Sequence, residues 1–220
     1  MNRKAKPTAL ISCKEFYIDD CLARGQSTST ATTKSLLLEM FIRWCQSQGI
    51  TNVSELNLDE LEEYRRHLCR YRKAGNGEAL DLSTQRMRLM AITGLLQRLH
   101  YYDIIQSDYY KKFALPHVPR KLPKQIPDEE GIELILHQTF SKGRIGLRDR
   151  AILEVYYASG IRRGELSKLD IRDIDFKQQT LLVRKGKGGL DRQVPIAPRA
   201  LYWIKKYIGE LRTELVTLES

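Results

Sequence analysis

Three prolines, Pro116, Pro119 and Pro123, constrain this chain more than any other feature. A proline removes a backbone donor and clashes with the preceding helical turn. No helix is therefore expected to cross Leu115–Lys124. Arg120, Lys121 and Lys124 make the same stretch cationic. It reads as an extended linker, able either to lie along a nucleic-acid backbone or to act as a stiff, solvated spacer. With 220 residues the chain can build two small domains. The sequence thus divides into a helical domain over 1–115, a basic linker over 116–124 and a second domain over 125–220.

Upstream of the linker the apolar residues recur with a helical period of about 3.6. Leu10, Ile11, Phe16, Tyr17 and Leu22 are expected on one face of a helix over 8–23. The run Ser27–Thr33 reads as a loop and helix start. Leu36, Leu37, Met40, Phe41, Trp44 and Cys45 form an apolar stripe after it, closed by Gly49. A charged helix from Leu58 to about Lys73 has acids early and bases late, as the helix dipole prefers. Gly75-Asn76-Gly77 breaks it. Ser83 is the expected N-cap of a fourth helix to about His100, with Met87, Met90, Ala91, Leu95, Leu96 and Leu99 inward. Four helices with short connections make a compact bundle.

Downstream the period changes. Pro127 is expected in the first turn of a helix opening at Pro127-Asp128-Glu129-Glu130. An apolar helix over 146–158 ends at Gly160, and a short one follows from Arg163 to Lys168. Thr180–Arg184 and Arg192–Ile196 read as two strands joined through Lys185-Gly186-Lys187-Gly188-Gly189-Leu190-Asp191. Pro198 opens a last helix through Leu201, Ile204, Ile208 and Leu211. The fold class is therefore mainly α with a small antiparallel β-hairpin or sheet.

The net charge is +10. It is shared between the halves, with 18 Lys+Arg against 13 Asp+Glu in residues 1–120 and 19 against 14 in residues 121–220. Any polyanion-binding surface is thus expected to span both. Charge alone fits a nucleic-acid partner or an ordinary basic protein. Cys13, Cys21, Cys45 and Cys69 form no CxxC and have no histidines at zinc-site spacing, so they read as small core residues in a reducing cytoplasm. No apolar run approaches the roughly 20 residues that span a bilayer, and the N-terminus lacks the apolar segment of a signal peptide.

Two elements carry chemistry. Arg162 follows the glycine that ends an apolar helix, where a guanidinium can project into a cleft and fork two phosphate oxygens. Glu165 lies three residues on and can orient it; a plain structural ion pair fits the same spacing. Lys187, between Gly186 and Gly188, can reach a phosphate from a hairpin tip and donate a proton, or can be a solvated turn lysine.

The order of elements bears on these choices. A helical domain, a cationic proline-rich strap, Gly160-Ile161-Arg162-Arg163-Gly164-Glu165-Leu166, Leu169-Asp170-Ile171-Arg172-Asp173-Ile174-Asp175, Gly186-Lys187-Gly188 and Arg192-Gln193-Val194-Pro195-Ile196 follow in turn. This layout resembles the tyrosine recombinase family, also called the phage integrases. The resemblance covers the whole chain in layout, and its specific motifs lie within 157–196. It implies a four-helix core-binding domain that contacts DNA, then an α+β catalytic domain. It also implies a reaction in which a tyrosine attacks a phosphodiester and forms a 3′-phosphotyrosyl link, with no metal or nucleotide cofactor. Arg162 then matches the first phosphate-clamping arginine, Glu165 its acidic support and Lys187 the general acid. Arg163 matches no role.

The sequence also departs from the family pattern. A His-x-x-Arg, a further His or Trp and the nucleophilic tyrosine belong after the hairpin, and residues 197–220 contain no histidine. His67-Leu68-Cys69-Arg70 lies upstream and reads as a chance match on a solvated helix face. Tyr202 and Tyr207 read as packing residues of an amphipathic helix. The second domain is accordingly expected to be a partial catalytic domain. The chain is expected to bind a double-stranded recombination site, with other recombinase protomers as possible partners and no membrane, and not to cleave DNA alone. A non-catalytic DNA-binding modulator, or a remnant that does not fold stably, is the alternative. No residue names the DNA target.

Overall fold

The structure is a computed structural model that describes residues 6–119, 126–184, 186 and 189–218, with side chains to residue 215. Most of the cationic strap, residues 120–125, lies outside the described residues, as do Lys185, Lys187 and Gly188. The chain forms two compact units, residues 1–121 and 122–220. No described helix is long and apolar enough to cross a membrane.

The first unit is built from α1 (Leu10–Ala23), α2 (Thr28–Ser47), α3 (Leu58–Arg70) and α4 (Leu82–Tyr101). Their apolar stripes meet in one core, with α1 and α2 both packed on α4. Phe41, Trp44 and Tyr64 lock α2 to α3, with ring centroids 4.9 Å apart for Phe41–Tyr64 and 5.1 Å for Trp44–Tyr64. Asp20 on α1 is buried, and its carboxylate accepts two hydrogen bonds from Arg98 on α4, at 3.0 and 2.8 Å. Tyr102 Oη donates to it at 2.8 Å, and Arg24 Nε at the same distance.

Several details of this unit differ from expectation. The Ser/Thr run is already helical from Thr28, and Ser27 caps it by accepting from the Thr30 N–H. Asp81, not Ser83, precedes the first residue of α4. The inward stripe of α1 is Leu10, Cys13, Tyr17 and Cys21, whereas Ile11 and Leu22 are exposed. On α2 the core takes Leu38, Phe41, Ile42 and Cys45 and leaves Leu36 and Met40 outside. On α4 it takes Leu89, Ile92, Leu95, Leu96 and Leu99, while Met87 and Met90 face out. Each of these helices carries more apolar residues than one stripe holds, so the packed neighbours choose which stripe is buried. Cys69 is exposed, unlike the other three cysteines.

The second unit comprises α5 (Glu129–Gln138), α6 (Arg144–Ser159), α7 (Arg163–Leu166), α8 (Pro198–Tyr207) and α9 (Thr213–Leu218), with strands β1 (Ile174–Asp175), β2 (Thr180–Val183) and β3 (Arg192–Pro195). The sheet is antiparallel in the order β1-β2-β3. In register, Leu181 opposes Val194 and Val183 opposes Arg192. Its first strand, only two residues long, lies at the end of the acidic Asp170–Asp175 segment, which carries no strand period. Asp128 caps α5, accepting from the Gly131 N–H at 2.9 Å, so Pro127 stands just before the helix rather than in its first turn. α8 continues through a π-helical turn at Ile208–Arg212 into α9.

A core of Val155, Ile161, Leu181, Val183, Ile196, Ala200, Leu201 and Ile204 joins α6, the sheet and α8. The inward face of α6 is less apolar than its sequence suggests. Arg150 and Glu154 are both buried on it. The Arg150 guanidinium lies over the Trp203 ring, 4.7 Å from its centroid, a cation–π contact.

Candidate active site

α6 ends where Gly160 turns into the left-handed region, at φ 62° and ψ 18°. Helices commonly stop on a glycine in this conformation. The turn buries Ile161 in the core and turns Arg162 out to solvent. Arg162 then occupies the N-cap position of α7.

Glu165 closes that turn from the other side. Its Oε2 accepts the backbone N–H of Arg162 at 2.8 Å, and its Oε1 accepts from Arg162 Nη1 at 3.0 Å. The pair expected from the spacing is therefore present, and it orients both the main chain and the guanidinium of Arg162. The Arg162 side chain remains 60% exposed while that of Glu165 is 8% exposed. The carboxylate is occluded and the cation is presented.

A third residue, absent from the sequence-based site, completes the arrangement. Arg192, at the start of β3, grips Glu165 with two nitrogens: Nη1 donates to Oε1 at 2.9 Å and Nη2 to Oε2 at 2.8 Å. Fork-to-fork pairs of this kind are among the stronger protein hydrogen bonds. The Arg192 grip, aided by the Arg162 N–H, pulls the Glu165 carboxyl down to about 2 from a usual value of 4.5. Arg192 stands 27 positions from Glu165, so no local periodicity announces it. Its only sequence signal is a cation opening the strand after a glycine-rich hairpin.

The neck of that hairpin sits against the same carboxylate. The Gly186 N–H donates to the Leu190 carbonyl at 2.9 Å. A Cβ at Gly186 would come within 2.7 Å of Arg192 Nη1, 3.1 Å of the Leu190 oxygen and 3.3 Å of Glu165 Oε1. An alanine there would press on the end of the Arg192 side chain, which must shift to admit it. Lys187, the expected general acid, lies outside the described residues. An open concavity beside Arg162 is lined by Gly160, Leu190, Asp191 and Arg192. Arg162 and Arg192 bring two cations to its wall, beside Asp191 and the Glu165 carboxylate they share.

A second ion pair fixes the far side of the sheet. Arg184, following β2, donates to the buried Asp173 at 2.6 Å, and Asp173 also accepts from the Asp170 N–H. Among the remaining candidates, His67 and Arg70 are exposed on α3 of the first unit, on a solvated helix face as expected. Tyr202 is 58% exposed, with its ring edge-on to Trp203, so it is less packed than expected. Tyr207 is half-buried and lines an apolar groove with Arg163.

Comparison with known proteins is consistent with this geometry. Residues 127–217 match the phage integrase family. The chain is 35% identical over 205 residues to tyrosine recombinase XerC 2 of Ralstonia nicotianae, covering 93% of this chain and 59% of that protein. It is 32% identical to tyrosine recombinase XerD of Proteus mirabilis, covering 92% of this chain and 62% of that one. The chain therefore spans about six-tenths of these relatives' length. In fold it is similar to a lambda integrase dimer bound to a COC' core site, with a TM-score of 0.66 at 14% identity over 93% of this chain and 57% of that one. It is also similar to the Tn1549 transposon integrase in complex with circular intermediate DNA, with a TM-score of 0.63 at 15% identity over 91% of this chain and 65% of that one. By the family match and the identity to these recombinases, the chain belongs to the tyrosine recombinase, or phage integrase, family.

Proposed function

We propose that this chain binds duplex DNA at a recombination site and supplies part of the phosphate-gripping machinery for site-specific breakage and rejoining. The observation that carries this reading is Arg162, held at the turn after Gly160 by Glu165 with its guanidinium open to solvent. A phosphoryl group under attack gathers charge on its non-bridging oxygens, and a fixed cation beside them lowers the barrier. In this reading Arg162 is that cation, Glu165 supports it, and Lys187 protonates the departing 5′ oxygen as a tyrosine bonds to phosphorus.

The first unit serves as the core-binding domain and residues 125–220 as part of the catalytic domain. A groove between α2 and α4 supports DNA contact in the first unit. Ser29, Thr30, Thr33 and Lys34 line one side of it, and Arg86 and Met90 the other. Hydroxyls and cations on paired helices suit phosphate and base-edge contacts. Relatives described as recombinases, and neighbours solved with DNA, favour the same partner. Other recombinase protomers are the natural second partner, since lambda integrase is solved as a dimer on its site.

Two measurements test the reading. Affinity for duplex DNA should fall steeply with salt, because lysines and arginines displace counterions from phosphates; an unchanged affinity across a salt series would count against DNA binding. A nicked-substrate trap should give no covalent adduct with these 220 residues alone, since they hold no His-x-x-Arg after the hairpin. A phosphotyrosyl adduct would overturn that part of the proposal.

A further inference from the structure

We propose that Arg192 is a positioning residue for Arg162: by holding both oxygens of Glu165, it keeps the Arg162 guanidinium directed outward, toward an oxyanion. The proposal rests on the phosphate-gripping role given to Arg162 above, and it adds a residue to that site.

The argument is one of hydrogen-bond capacity. An ionised carboxylate offers about four acceptor positions. At Glu165 all four have a donor: the Arg162 N–H, one Arg162 guanidinium nitrogen and two nitrogens of Arg192. Arg162 therefore spends a single side-chain contact on Glu165, and no other partner for its guanidinium is found among the described residues. An arginine has five N–H donors in a rigid fork, so most of the Arg162 fork stays available.

Without Arg192 the balance changes. Glu165 would lose two charge-assisted bonds and regain two empty acceptor positions in an occluded place. Among the described residues the cation left beside it is Arg162. The carboxylate would draw it into a two-point pair, folding the fork inward and cancelling its charge. Arg192 prevents this by occupying the competing positions from the β3 side. The joint also ties the α7 turn to the hairpin neck, because Gly186 packs against both Arg192 and Glu165.

The test uses the 220-residue chain with R192Q, R192K and G186A. The last leaves Arg192 in place and crowds its guanidinium off Glu165. Nitrogen-labelled spectra follow the Arg162 backbone amide and side-chain N–H, with the β2 and β3 amides as the control for an intact sheet. R192Q and G186A should both move the Arg162 signals and weaken binding of a short DNA duplex about tenfold. Lysine keeps the charge but cannot span both oxygens, so R192K should restore neither. In an R162A background, R192Q should cost no further affinity. Unmoved Arg162 signals in both R192Q and G186A would overturn the proposal. So would an equal loss from R192Q with and without Arg162, which would make Arg192 a direct phosphate contact. If the unmodified chain fails to bind DNA, the recombination reading falls, and the Arg162 spectra still decide whether Arg192 positions it.

Discussion

Arg199 on α8 donates to Glu154 on α6 at 2.8 Å, bridging 45 residues of sequence. The same guanidinium holds Glu133 on α5 by two bonds, at 2.6 and 2.9 Å. Glu154 is 1% exposed and also pairs with the buried Arg150. One guanidinium, that of Arg199, thus fastens three helices of the second unit.

Glu154→Ala should therefore destabilise the second unit by about 3 kcal/mol, because it strands Arg150 as a buried, unpaired charge. Hydrogen exchange of α6 and α8 peptides measures this directly. The first unit should be unaffected. A loss below about 0.5 kcal/mol would mean that Arg150 satisfies itself on the Trp203 and Phe140 rings.

Asp20→Ala should weaken the first unit by a similar amount, about 3 kcal/mol, since Arg98, Arg24 and Tyr102 all lose their acceptor. Burial pushes the Asp20 carboxyl up, and its bonds from Arg98 and Tyr102 with the charge of Arg24 more than reverse this, leaving it below the usual 3.8. The sign follows: its stabilisation is complete above pH 3.8 and is lost as pH falls through the lower folded value. Acid unfolding of the first unit should thus begin at higher pH in the aspartate protein than in Asp20→Ala, once both are compared at equal starting stability.

Glu165 should remain ionised down to about pH 2. Its contribution to stability is complete above pH 4.5 and disappears as pH falls from there through about 2. The carboxyl carbon resonance gives the titration. A midpoint near 4.5 would show that the Arg192 grip is not maintained in solution.

A thiol reagent should modify Cys69 alone in the folded protein. Cys13, Cys21 and Cys45 are buried, and burial pushes the Cys13 thiol to about 11 and the Cys45 thiol to about 12. Reactivity follows the thiolate fraction. Mass spectrometry should count one adduct before denaturation and four after it.

Most helices of this fold are legible in the sequence, because their signals are local. Gly160 after an apolar run, Pro198 before one and the alternation of Leu181 and Val183 can be read over a few residues. Stripe assignment is less local. Met87 and Met90 are as apolar as Leu89 and Ile92, and only the packing of α1 and α2 on α4 makes one pair core and the other surface. The first strand is not legible for a related reason: two residues carry no period, and Ile174–Asp175 is extended because β2 pairs with it.

The candidate site divides the same way. Arg162 and Glu165 could be paired from sequence because a helical turn brings residues three apart together, whatever the rest of the chain does. Arg192 could not, because its distance from Glu165 is set by where the antiparallel sheet returns the chain to the α7 turn. The sequence by itself determined the family, the helical elements and the arginine at the turn, all of which rest on short-range order and residue type. The tertiary structure alone decided which apolar stripes are buried, how Arg199 joins three helices, and that a second arginine takes the carboxylate beside Arg162. Those outcomes depend on long-range packing and on competition between donors for one acceptor, neither of which has a period that a sequence displays.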